Sequence, residues 1–215
     1  MIKRLLKNYF LLMFIAVTVN CAYSQDTLKQ SLNTEPKNVW GVNVQYSESG
    51  MGIGAIIYKR LSNVTDLFGS ISIGGVTDNR EFEYFDYYGN SYIVGKLNRV
   101  YKIPLEIGIE HFLFSNSLEG TFKPNITAGI TPALLLTDPY NRNFFSALKY
   151  IQPGFAFGGF IGAGLDYRES NFVAITFNIK YLYMPVIGRE IMSLQDKPIK
   201  DVGGLNISIG VNFLK

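Results

Sequence analysis

The chain has 215 residues, a length that suits one domain. It is 47% hydrophobic, rich in Tyr (14) and Phe (16), and only 17% charged, against roughly 25% in an average soluble domain; that balance excludes a disordered polyelectrolyte. The formal charge of +3 disappears once Lys3, Arg4 and Lys7 are set aside, which leaves 17 basic against 17 acidic residues. With no basic run interleaved with aromatics, a nucleic-acid partner is excluded.

Residues 1–24 form the pattern of a secretory signal peptide. Lys3, Arg4 and Lys7 give a basic start, and an apolar stretch follows from Tyr9 to Val19. Ala22-Tyr23-Ser24 places small residues where a signal peptidase acts, which predicts cleavage before Gln25. The apolar stretch is shorter than the ~20 residues of a transmembrane helix. Acylation of Cys21 is the alternative, although Asn20 precedes it where a small residue is preferred. Cys21 is the single cysteine, so the predicted mature chain forms no internal disulfide. Residues 25–38 are polar and aperiodic, a flexible periplasmic lead-in.

From Val39 onward, apolar and small or polar residues alternate with period two, which puts them on opposite faces of extended strands. Eight such segments follow: Val39–Ser47, Met51–Leu61, Leu67–Val76, Tyr101–Glu110, Phe122–Thr131, Phe155–Tyr167, Val173–Tyr181 and Leu205–Phe213. One face carries Ile, Leu, Val and Phe; the other carries Gly, Ser, Thr and Asn with scattered charges. Each strand is near the ~9–11 residues needed to cross a bilayer at a tilt. The pattern predicts an all-β fold: an eight-stranded antiparallel up-and-down transmembrane β-barrel over residues 39–215, with lipid outside and polar side chains inside. Long connections at 78–98, 137–152 and 186–203 fall at the external end. A short one at 48–50 is the external exception.

The last strand ends Gly210-Val211-Asn212-Phe213-Leu214-Lys215, an amphipathic strand with a near-terminal aromatic. Leader, eight alternating strands and closing strand together resemble the outer membrane protein β-barrel domain families of Gram-negative bacteria. The Tyr/Phe-rich strands and Ile103-Pro104-Leu105 are similar to the Bacteroidetes versions. The resemblance implies residence in the cell outer membrane and contact with its lipid. It also implies handling by the barrel-assembly machinery, which recognises a closing aromatic such as Phe213.

Seven charges fall on the predicted inner face: Arg60, Glu106, Glu110, Lys123, Asp166, Arg168 and Lys180. A buried charge is costly without a partner, so they are expected to form an ion network inside a barrel too narrow for a channel. The lone His111 stands near Ser115 and Ser117, a pairing that would suit a lipid-modifying enzyme. At the predicted periplasmic rim it fits an interfacial role better. The loop 78–98 crowds Phe82, Tyr84, Phe85, Tyr87, Tyr88 and Tyr92 around Gly89-Asn90, a hairpin turn sequence. Two readings stand: a ribbon that continues the flanking strands and contacts a protein or glycan ligand, or part of the aromatic girdle. Girdle residues elsewhere are expected at Trp40, Tyr46, Phe112, Phe144, Phe145, Tyr181, Tyr183 and Phe213. Motifs for nucleotides, zinc or a serine nucleophile are missing, so no cofactor and no catalysis are expected. The expected role is structural or adhesive, exerted through external loops. A lipid-modifying enzyme, a small-solute pore and a soluble lipocalin-like carrier are the alternatives.

Overall fold

The computed structural model describes residues 38–113, 122–170 and 172–214. Among the described residues there are thirteen strands, in order: β1 (Asn38–Ser47), β2 (Gly50–Ser62), β3 (Thr65–Val76), β4 (Glu83–Phe85), β5 (Ser91–Ile93), β6 (Asn98–Phe112), β7 (Phe122–Pro139), β8 (Gln152–Arg168), β9 (Val173–Tyr183), β10 (Val186–Ile187), β11 (Ile191–Leu194), β12 (Lys197–Ile199) and β13 (Gly204–Leu214). Eight of them (β1, β2, β3, β6, β7, β8, β9 and β13) pair with their neighbours all the way round, antiparallel throughout. Trp40 on the first strand pairs with Phe213 on the last, and this pairing closes the barrel. Closure leaves no sheet edge, which is what allows strands to cross a bilayer.

The side-chain parity follows the alternation in the sequence. Ile53, Ile107 and Ile209 stand exposed on the outer wall, whereas Thr127, Asn206 and Asn212 are buried in the lumen. The outer wall is therefore the apolar surface. A soluble sheet would have buried it; a bilayer covers it here. Two aromatic girdles rim the belt. Trp40 stacks on Phe213 at 4.5 Å and Phe122 packs against Tyr167 at 5.0 Å at one end; Tyr46, Tyr181 and Tyr183 stand exposed at the other. The end that holds the short connections at 63–64 and 169–172 is periplasmic by the rule for such barrels.

Two ladders are interrupted beside a proline, which offers no N–H. The β3–β6 ladder skips the step opposite Pro104, and the β6–β7 ladder resumes only on either side of Pro132. β7 and β8 are the longest strands, at 18 and 17 residues, and they raise one side of the wall.

Two expectations are corrected. Phe112 is not a girdle residue: it is 8% exposed and faces the lumen, where Arg60 and Lys123 lie over its ring at 5.7 and 6.0 Å. It shares parity with Glu106 and Glu110, and parity decides direction in a strand. The 78–98 segment does not continue β3 and β6 as one ribbon. β3 stops at Val76 and β6 starts at Asn98, and between them β4 and β5 form a separate two-stranded sheet. The side chain of Phe144 and residues Ser115 and Ser117 lie outside the described residues.

Candidate external binding surface and the lumen beneath it

The lumen is filled rather than open. Phe68 and Leu135 are buried to 2% and 0% exposure. Tyr58, Phe68 and Phe160 form an aromatic layer, with ring centroids 5.9 Å apart for Tyr58–Phe68 and 5.8 Å for Phe68–Phe160. Gly108 and Gly129 make this layer fit: a Cβ at either would run into the Phe160 ring.

The predicted inner charges fall on two sides of that layer. Lys180 donates to Glu106 at 2.7 Å, and its ammonium lies 5.0 and 5.1 Å from the Phe68 and Phe160 ring centroids. Rings and carboxylate together compensate a cation in a low-dielectric place. Arg60, Glu110, Lys123, Asp166 and Arg168 instead line one cavity of about 40 Å³ with Tyr58 and Phe112. Phe68 pairs with Gly108, halfway along β6 between Glu106 and Glu110. Asp66, which is not among the seven predicted inner charges, pairs with Arg60 at 2.5 Å. Ser62 pairs with Thr65 at the β2–β3 turn, and a bulge between Arg60 and Ser62 shifts the register so that Arg60 stands opposite Asp66. Lys102 is a further inner charge beyond the seven predicted. It is buried, and its ammonium donates to the hydroxyls of Ser47 and Ser49 and to the carbonyl of Val202.

His111 faces outward, half-buried, with Nδ1 3.0 Å from the Thr65 hydroxyl. Among the described residues no carboxylate forms an ion pair with it.

The external end holds two small hairpins that differ in kind. The β11–β12 hairpin folds over the barrel mouth. Ile191 is 1% exposed, and Ile199 joins Val76, Val100, Leu135, Met184 and Val202 in the same apolar cluster. Gly154 leaves room for Ile191: a Cβ there would meet its side chain. Asp196 turns the hairpin at φ +56°, a conformation Asp tolerates better than most residues.

The β4–β5 hairpin does the opposite and presents its side chains. Tyr87 and Tyr88 are 98% and 86% exposed, and Phe82, Tyr84, Phe85 and Tyr92 are also exposed. Its turn is nonetheless fixed. The Asp86 carboxylate accepts from the backbone N–H groups of Tyr88 and Asn90 and from the Asn90 amide, each at 2.8 Å. Gly89 supplies the left-handed φ of +82° that the turn needs. The Asn90 amide's hydrogen bond holds the Asp86 carboxyl below its ordinary range. Tyr84 packs on Tyr92 across the strands at 6.0 Å, and Tyr87 meets Tyr88 edge-on at 5.7 Å.

A buried polar clamp ties the base of this hairpin to the other one. Lys96 pairs with Glu81, and the Ser193 hydroxyl donates to the same carboxylate. The side chains of Lys96 and Glu81 are only 8% and 3% exposed. Backbone bonds from Leu97 N–H to Ser193 and from Gln195 N–H to Gly95 complete the join, at 2.8 and 2.9 Å. Nearby, Arg80 chelates Asp78 at 2.7 and 2.5 Å, which lowers the Asp78 pKa. The plug thus anchors the stem of the presented hairpin.

The sequence matches no protein-family model and no curated protein. Among solved structures, the chain is similar to Neisserial surface protein A at 10% identity and TM-score 0.53. That match covers 83% of this chain and 94% of the other. The N-terminal β-barrel domain of Pseudomonas aeruginosa OprF aligns at 14% identity and TM-score 0.48, covering 84% and 98%. A major outer membrane protein from Thermus thermophilus aligns at 11% identity and TM-score 0.49, covering 82% and 98%. At such identities the likeness is one of fold. That fold is the small eight-stranded outer-membrane barrel, and the apolar belt on this chain's own wall puts it in the membrane.

Proposed function

We propose that this outer-membrane barrel is a non-enzymatic attachment protein, made in precursor form with residues 1–24 as its export signal, and that the β4–β5 hairpin is its contact surface. The observation that carries the reading is the exposure of Tyr87 and Tyr88 on a turn whose backbone is fully braced. A tyrosine on a braced backbone has only two side-chain torsions left to order on binding, so it contributes efficiently to an interface. Phe68, Phe160 and the β11–β12 plug fill the lumen, which speaks against a solute pore. His111 sits at the periplasmic end, away from the outer leaflet, where a lipid-modifying site would lie.

The test replaces residues 82–94 with a short Gly-Ser linker in the full chain, expressed on cells. Attachment to protein- or glycan-coated surfaces should fall to background while the barrel keeps its heat-modifiable migration on a detergent gel. Undiminished attachment with a folded barrel would overturn the reading.

A further inference from the structure

The chemistry of the hairpin narrows what it takes. From Phe82 to Gly95 the chain carries Glu83 and Asp86 and not one Lys or Arg. Six exposed rings share this short segment with the two carboxylates. Both oxygens of Asp86 are committed to the turn, so they hold negative charge in place rather than reach for a hydroxyl. Glu83 is exposed on β4. A polyanion meets repulsion here, and a neutral sugar leaves the charge unused. A cation uses both features, because a tyrosine face attracts it and a nearby carboxylate adds Coulomb energy. The same external end already displays such a contact: the Arg142 guanidinium lies 4.1 Å over the Tyr150 ring.

A second, independent feature concerns the backbone. β4 and β5 pair with each other and with no third strand among the described residues, so both long edges of their sheet are open. Open edges accept an extended chain through main-chain hydrogen bonds, with side-chain contacts giving selectivity. The Glu81–Lys96–Ser193 clamp fixes the stem, so that edge is presented in one orientation.

Resting on the attachment reading above, we propose that the partner is a basic, extended polypeptide segment, whose Lys or Arg side chains lie on Tyr87 and Tyr88 and beside Glu83 while its backbone adds to the hairpin sheet.

The test uses the full chain in lipid nanodiscs and fluorescence anisotropy. The probes are a labelled peptide alternating Lys and Thr, the same peptide with Glu in place of Lys, a heparin-derived octasaccharide and a neutral maltooligosaccharide. The Lys peptide should bind, and more weakly as salt rises. Tyr87→Ala combined with Tyr88→Ala should weaken it roughly five- to tenfold, and Glu83→Gln roughly threefold. The Tyr87→Phe, Tyr88→Phe pair should retain binding, because the ring faces remain. Each variant's folding is checked by heat-modifiable migration. Equal binding of the Glu peptide, or Lys-peptide binding indifferent to the tyrosines, would overturn the proposal. Tyrosine-dependent capture of either saccharide without the Lys peptide would overturn the partner class and leave the hairpin as the contact surface. Attachment of cells that survives loss of residues 82–94 would instead remove the attachment reading itself.

Discussion

The two external hairpins are built alike and do opposite things. Each has two strands of three or four residues and a tight turn. β11–β12 places Ile191, Leu194 and Ile199 inward, at 1%, 4% and 7% exposure. β4–β5 leaves its aromatics exposed, from 48% at Tyr92 to 98% at Tyr87. Packing therefore holds the first, and its turn needs no glycine. Local hydrogen bonds hold the second, so its turn depends on Asp86, Gly89 and Asn90. An element that packs can seal the mouth; an element that braces itself can keep its side chains free.

The largest effect is expected at the join between them. Glu81→Ala leaves Lys96 buried without its carboxylate, and breaking such a pair costs about 3–5 kcal/mol. The cost should appear as local opening: amides of both hairpins should lose hydrogen-exchange protection while those of β1 and β13 keep theirs. Protection lost in only one hairpin would refute the shared clamp.

Ile191→Ala comes next, at about 2–4 kcal/mol for a fully buried side chain. Proteolysis should then cut near Gln195 before any barrel strand opens.

Gly89→Ala should cost about 1 kcal/mol, because alanine resists the left-handed φ there. It should disorder Tyr87 and Tyr88 without touching the plug. Acid should act on the same hairpin. The Asp86 carboxyl is held below its ordinary range, so its contribution is present above the unfolded value of roughly 3.9 and is lost as pH falls through the lower folded value. Amide spectra of Tyr88 and Asn90 should thus be unchanged from pH 7 to 5 and shift only in stronger acid.

The smallest effect belongs to Tyr87→Ala, which should move stability by less than about 0.5 kcal/mol. A large loss would mean that the ring supports the fold rather than a partner.

The barrel strands were legible because one rule, alternation, governs each of them over ten or more residues. Ile103, Leu105 and Ile107 face out and Glu106 faces in by that rule alone. Phe112 obeys the same rule: its parity with Glu110, and not its aromatic character, turns it inward. Arg60's partner Asp66 was not legible, because the Ser62–Thr65 turn pairing alone would set Arg60 opposite Leu67, and only a bulge shifts it to Asp66. Nor was the β11–β12 plug. Ile191-Met192-Ser193-Leu194 is too short for a period, Gln195-Asp196 lacks a turn glycine, and its burial depends on Leu135 and Gly154, more than thirty residues away. The clamp was hidden for the same reason: Glu81, Lys96 and Ser193 meet only after two loops have folded together. The tyrosine cluster was conspicuous in the sequence; the structure adds that its strands form a two-stranded sheet of their own, apart from the barrel sheet.

Isoleucine methyl NMR in nanodiscs that contain a spin-labelled lipid addresses the wall directly. The methyls of Ile53, Ile107 and Ile209 should broaden strongly, while those of Ile56, Ile191 and Ile199 stay sharp. Broadening of Ile56 and Ile191, with Ile107 and Ile209 untouched, would contradict a barrel that shows its greasy face to lipid.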